Sequence, residues 1–146
     1  MLISPIQVLL VEDNPGDARL AREALRDCKL KLETIEVHDG EAAMNFLHQQ
    51  SGVGGHLPDL MLLDLNLPKK DGREVLCEVK GDPQLSQIPI VILTSSKADE
   101  DILQTYQMHA NCYICKPIDL EQMQKVVKQI GDFWFTIVKL PSSAER

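Results

Sequence analysis

No apolar run in this chain approaches the roughly 20 residues that a membrane span requires. The opening "MLISPIQ" carries neither a basic n-region nor a long apolar h-region, so no signal peptide is apparent. A membrane protein is thereby excluded, and a cytoplasmic location is expected. Positive charge is also in short supply, with 15 Lys and Arg against 22 Asp and Glu and a net charge of -7. Nothing along the linear sequence resembles a basic stripe, which argues against nucleic acid as a partner. Proteins and small ions are the expected partners. Cysteine is sparse: Cys28, Cys77, Cys112 and Cys115, all expected to be reduced. Cys112 and Cys115 form a C-x-x-C without a second pair. "NCYICK" has the look of a strand, where side chains three apart face opposite sides, so small buried residues are expected there rather than a metal or redox site.

What is present is an ordinary globular composition, 44% hydrophobic and 25% charged over 146 residues, enough for one domain with a sizeable core. Short apolar runs alternate with helical patterns five times. Strands are expected at Gln7–Val11, Leu32–His38, Leu60–Leu63, Ile90–Leu93 and Cys112–Cys115. The first, third and fourth are almost wholly aliphatic, as befits strands covered on both faces. "LETIEVHD" alternates, which suits an edge strand.

Helical patterns lie between. "PGDARLAREALRD" sets Ala18, Ala21 and Leu25 on one face behind Pro15, and "DGEAAMNFLHQQ" follows the second strand. "GREVLCEVKGD" spaces Val75, Leu76 and Val79, and "DEDILQTYQMH" spaces Ile102, Leu103 and Tyr106. The fifth segment begins at Asp119 with D-x-x-Q, an approximate capping box. Five β–α units of this size indicate an α/β fold, an open, doubly wound parallel sheet with helices on both faces. The stretch Ser51–Asp59, "SGVGGHLPD", is expected to be a surface loop; it lacks a phosphate-binding lysine motif and precedes a strand instead of following one.

Sheets of this kind bind ligands at the carboxyl ends of their strands. Every unusual polar residue in the chain falls there. "VLLVEDNPGD" runs from an aliphatic strand into Glu12, Asp13 and Asp17. Strand three ends in Asp64, strand four in Thr94 and Ser95, and strand five in Lys116 followed by Pro117. A lone Asp after a strand is usually a helix cap, and a lone Lys is usually solvated. Four strands presenting such groups at one edge point to a site.

The chemistry is coherent. Glu12, Asp13 and Asp64 offer hard oxygen ligands, too few for a closed calcium cage but suited to a magnesium ion that keeps several waters. Asp64 is then placed as a nucleophile that could form an aspartyl phosphate. Such a transfer needs in-line positioning and neutralised charge more than a general base. Lys116 can supply a mobile point charge, and the Thr94 hydroxyl a hydrogen bond. The backbone carbonyl of Asn66 could complete the metal's protein ligands. A helix dipole collecting acids explains Asp17, but neither Asp64 nor Lys116.

The set "LLVEDN", "LLDLNLPKKDG", "ILTSS" and "CYICKP" resembles the receiver domain of bacterial two-component response regulators, over residues ~5–130 and in the familiar order. The resemblance implies that Asp64 is the phosphoacceptor, that Glu12 and Asp13 are the acidic magnesium pair, and that Thr94 and Lys116 sense the phosphate. Glu12 stands where Asp is commoner, a swap the family tolerates. Tyr113 matches the switch aromatic, and the Lys116–Pro117 bond would be cis. Asn66 and Ser96 lie where such receivers tune phosphate lifetime. Phosphorylation adds roughly two negative charges; Thr94 would move towards them, and Tyr113 would follow into the vacated space. That would reshape the surface formed by the fourth helical segment, the fifth strand and the last helix. The protein would then be a phosphoacceptor and not an enzyme with turnover.

From Asp119 an apolar helical pattern runs through Met123, Val126, Val127, Ile130, Phe133, Trp134, Ile137 and Val138 to "KLP". A helix of ~20 residues is longer than the usual ~11–12. Its final turns hold three of the six aromatic residues, Phe133, Trp134 and Phe135, and their exposure would mark a partner interface. "VEDNPGD" together with an "FW…IV.LP" ending is similar to response regulators paired with cyanobacterial phytochrome histidine kinases. That resemblance implies a homodimer through the last helix and its neighbouring surface, using Phe133, Trp134 and Phe135 of the extended helix and tail at residues 131–146, and a phytochrome-type histidine kinase as partner. Only "SSAER" follows, so no output domain is expected. The rival readings fit less well. A haloacid-dehalogenase phosphohydrolase needs an acid two positions after the nucleophile, where Asn66 stands, and a cap. A flavodoxin-like carrier needs a phosphate loop after strand one. A phosphorylation-independent receiver would not need Asp13, Asp64, Thr94 and Lys116 together.

Overall fold

The computed structural model describes residues 6–27, 31–52, 54–94, 112–115 and 119–130. Five strands, β1 (Ile6–Val11), β2 (Leu32–Val37), β3 (Leu60–Leu63), β4 (Ile90–Thr94) and β5 (Cys112–Cys115), form one sheet in the order β2-β1-β3-β4-β5, every neighbouring pair parallel. The described helices are α1 (Pro15–Arg26), α2 (Gly40–Gly52), α3 (Gly72–Gly81) and α4 (Leu120–Ile130). None of them is long and apolar enough to cross a membrane.

Strand alternation divides the core between two faces. Leu9, Val11, Met61, Leu63, Ile90 and Ile92 join Ala43, Met44 and Leu47 of α2 and Val75, Leu76 and Val79 of α3. Val8, Leu10, Leu60, Leu62, Val91 and Leu93 join Ala18, Ala21, Ala24 and Leu25 of α1 and Met123 and Val127 of α4. The unbroken aliphatic strands are therefore those with helices on both sides. β2, the alternating one, is an edge strand, as expected.

Local chemistry sets the helix ends. Asn14 caps α1, its side chain accepting from the Asp17 amide at 2.9 Å, with Pro15 following as the first helical residue. The D-x-x-Q at the start of α4 is a full capping box. The Gln122 amide donates to Asp119 Oδ1 at 2.8 Å, and the Asp119 amide donates to Gln122 Oε1 at 3.0 Å. Asp119→Ala is accordingly expected to cost about 1 kcal/mol, read as a lower urea midpoint at unchanged slope; an unshifted midpoint would mean the cap is dispensable.

Some boundaries differ from expectation. Ser51 and Gly52 close α2 instead of opening the loop, because the amides of Gly54 and Gly55 turn back onto the carbonyls of Ser51 and Gln50. His38 falls outside β2, where its ring nitrogen meets Glu36 at 2.6 Å. The helix expected around Ile102, Leu103 and Tyr106, and the extension of α4 through Phe133, Trp134 and Phe135, lie outside the described residues. Helical spacing brings Arg19, Arg22, Glu23 and Arg26 of α1 together, and Lys31 joins them around one cleft.

Candidate functional site

The chain runs from β1 out to β2 on one side and returns to β3 on the other, so β1 and β3 flank the point where strand order reverses. Two backbone hydrogen bonds carry the ladder one residue past the strands there. The Glu12 amide donates to Val37 O at 3.1 Å, and the Asp64 amide donates to Val11 O at 3.1 Å. Val11 is paired with Leu63, so the next residues, Glu12 and Asp64, emerge side by side.

Both carboxylates are buried, Glu12 with 2% and Asp64 with 6% of its surface exposed, while Asp13 is open to solvent. One carboxylate oxygen from each of the three lies within 4.8 Å of the others. Each inner carboxylate is anchored locally. Glu12 Oε2 accepts from the Asn14 amide at 3.2 Å, and Asp64 Oδ1 from the Asn66 amide at 3.0 Å. Like charges so close and so buried call for a cation, and an all-oxygen donor set of this size fits a divalent ion that retains waters. Glu12, Asp13 and Asp64 are thus brought together as the sequence anticipates.

The loop from Leu65 to Asp71 holds Asp64 from the far side. Its turns close through Leu67 N–H to Leu65 O at 3.2 Å, Lys70 N–H to Pro68 O at 2.7 Å and Gly72 N–H to Leu65 O at 2.8 Å. Lys69 sits in the left-handed region at φ 65°, a conformation costing about 1 kcal/mol for a residue with a Cβ. Asp71 then caps α3, accepting from the Arg73 amide at 3.1 Å. Two glycines allow the loop to be gripped. A Cβ on Gly72 would overlap the Asp64 carbonyl oxygen and lie 2.6 Å from Leu65 Cα. One on Gly40, in the first turn of α2, would overlap the Lys70 carbonyl oxygen and lie 2.8 Å from its carbon. The "DG" after "LPKK" is the one local signal for Gly72, and nothing in the neighbouring sequence marks Gly40.

Thr94 ends β4 and is in register with Cys115, and Tyr113 with Ile92. Lys116 follows Cys115 directly in the chain and lies outside the described residues, as do Phe133, Trp134 and Phe135. Asn66, two residues beyond Asp64, is exposed.

Against this geometry, the family model for the response regulator receiver domain matches residues 8–128. The chain belongs to the response regulator receiver family. It is 46% identical over 140 residues to the response regulator Rcp1 of Synechocystis, an alignment covering 95% of each chain. It is 38% identical to the probable methanogenesis regulatory protein FilR2 of Methanothrix harundinacea, over 96% of this chain and 90% of that one. Among solved structures, it superposes on the phosphorylated cyanobacterial phytochrome response regulator RcpA with a TM-score of 0.85 and 47% identity, covering 95% of this chain and 100% of that one. The Mn(2+)-bound form of Rcp1 gives a TM-score of 0.83 at 45% identity, with 94% and 100% covered. This receiver is therefore a response regulator closely similar to Rcp1, and the hydrolase and electron-carrier readings fall away.

Proposed function

We propose that this receiver accepts a phosphoryl group from a phytochrome-type sensor histidine kinase onto Asp64, in a Mg2+-dependent reaction. The observation that carries the reading is the pair of buried carboxylates, Glu12 and Asp64, with exposed Asp13 beside them, all within 4.8 Å at the strand-order switch. Glu12, Asp13, Asp64 and the backbone carbonyl of Asn66 would hold the ion. A bound divalent ion supplies charge neutralisation for the oxygens of the moving phosphoryl group.

The rest falls to the chain itself. The Asn66 amide fixes one oxygen of Asp64, so the carboxylate presents a defined orientation to the incoming phosphorus. A carboxylate oxygen forms the new P–O bond while the P–N bond of the kinase phosphohistidine breaks, and the imidazole keeps the electron pair. Lys116 contributes its positive charge to the phosphate, and Thr94 its hydroxyl. The register that sets Thr94 beside Cys115, the residue before Lys116, supports pairing them in this role. Tyr113, two positions earlier on the same strand, is the proposed reporter that couples the site to the outer surface. Phe133, Trp134 and Phe135 are the proposed homodimer interface, supported by the helical spacing of Phe133 and Trp134, which continues the apolar stripe of Met123, Val126 and Val127, with Phe135 beside it.

Acetyl phosphate with magnesium, followed by intact mass spectrometry, tests the reading directly. One phosphoryl adduct is expected on the wild type and none on Asp64→Asn. Steady turnover of phosphomonoesters, or an adduct that survives the substitution, would overturn it. For the dimer, Phe133→Ala combined with Trp134→Ala is expected to give a monomer by light scattering; an unchanged mass would remove that assignment.

A further inference from the structure

Outside the acidic site, α1 and β2 flank a cleft of about 610 Å3 lined by Arg19, Arg22, Arg26 and Lys31, with Glu23 as its one acidic member and Leu25, Leu32 and Thr34 completing it. Four of the chain's 15 basic residues gather here in a protein of net charge -7. Two are answered internally: Arg19 Nε meets Glu23 at 3.2 Å, and Arg22 Nε meets Glu36 at 2.9 Å. Arg26 and Lys31 are exposed and form no ion pair among the described residues. Even the paired arginines keep 75% and 52% of their side chains in solvent. Exposed pairs of this kind contribute little and exchange easily for a better partner.

The geometry says which anion would fit. Arg19, Arg22 and Arg26 form a row about 10 Å long up one side of α1, which suits a linear polyanion better than a compact one. β2 lies alongside at the edge of the sheet, and an edge strand is a template for another strand. The face that β2 turns to α1 carries Leu32, Thr34 and Glu36, since Ile35 and Val37 pack on the opposite core. Glu36 is informative. It is an acidic residue on a strand, on the α1 side, and it already grips an arginine of the row. An added strand with acidic residues at every second position would repeat that contact along the row, because same-face side chains recur about every 6.7 Å. We propose that the α1–β2 cleft docks an extended, alternately acidic segment of a partner protein by strand addition to β2, with Arg26 and Lys31 as its principal charge contacts. Backbone pairing would supply affinity, and the cationic row the choice of sequence.

The probe is a fluorescein-labelled nine-residue peptide with Glu at alternate positions separated by Val and Thr, titrated by fluorescence anisotropy into the full chain. Saturable binding that weakens tenfold or more in Arg26→Gln/Lys31→Gln is expected; neither substitution breaks an ion pair among the described residues, and circular dichroism checks the fold. The same peptide N-methylated at alternate backbone nitrogens keeps its charges but cannot pair, and should bind at least tenfold more weakly. On the wild type, peptide-induced amide shifts should centre on Leu32–Val37. No peptide binding, undiminished binding to the double variant, equal binding of the methylated peptide, or tripolyphosphate binding where the peptide does not, would each overturn the proposal.

Discussion

Gly72→Ala is expected to lower the unfolding temperature by about 10 °C and to reduce acetyl-phosphate labelling of Asp64 by roughly a hundredfold. The new Cβ would meet the Asp64 carbonyl oxygen, Leu65 Cα and Leu65 O, the last two at 2.6 and 2.9 Å. All three are backbone atoms, so no rotamer change gives relief. The first turn of α3 would have to retreat, stretching the 2.8 Å bond from the Gly72 amide to Leu65 O. Overpacking costs about 1–3 kcal/mol even where side chains can yield, so a clash confined to backbone belongs at the upper end. Near 3 kcal/mol is roughly 10 °C for a domain of this size. The labelling defect follows because the loop that would move is the one holding Asp64 beside Glu12, and a shift of about 1 Å at a reacting group can cost a hundredfold. Gly81→Ala is the matched control. It lies in the last turn of the same helix with nothing within 4 Å of its Cβ, and should gain about 0.5 kcal/mol from helix propensity. Thermal unfolding of the pair by circular dichroism decides the matter; a Gly72→Ala protein that melts with the wild type would show that the loop yields freely.

That contact also shows what the sequence could convey. β1, β3 and β4 were legible because strands buried on both faces must be aliphatic throughout, and β2 because an edge strand need bury less. The stripe of Ala18, Ala21 and Leu25, and the capping pair Asp119 and Gln122, are local periodicities that tertiary structure had no reason to override. The meeting of Glu12 and Asp64 was legible because each follows an aliphatic strand in a fold that gathers strand ends. Contacts made at long range were not. Gly40 against Lys70 and Gly72 against Leu65 depend on how closely two backbones approach, which neither residue's neighbours encode. The arginine row was hidden because its members are three and four apart in a helix, with the fourth cation just before the next strand. The Thr94 and Tyr113 backbones take strand positions consistent with their proposed roles.

Glu12→Gln is expected to change stability in opposite directions with and without a divalent ion, and the crossover is the signature of a cation seat. Glu12 and Asp64 place carboxylate oxygens within 4.8 Å of each other, both buried. At an effective dielectric of about 20 that separation corresponds to roughly 3–4 kcal/mol of repulsion between full charges, before neighbouring hydrogen bonds and cations reduce it. Glutamine keeps the shape and an oxygen able to accept from the Asn14 amide, so the anchoring contact at 3.2 Å can survive while the charge is lost. In EDTA the variant should therefore be more stable than the wild type, by about 1–2 kcal/mol once that relief is discounted for solvent and local partners. With magnesium the order should reverse. A wild type carrying ion at a hundred times its dissociation constant gains about 2.7 kcal/mol, whereas the variant, one carboxylate short, should gain a fraction of that. Calorimetry of both proteins in EDTA and in saturating magnesium chloride gives the four values needed. If the variant melts below the wild type in EDTA, groups of the protein itself already stabilise the Glu12 carboxylate and the repulsion argument fails. If it keeps the full magnesium shift, the ion does not sit beside Glu12.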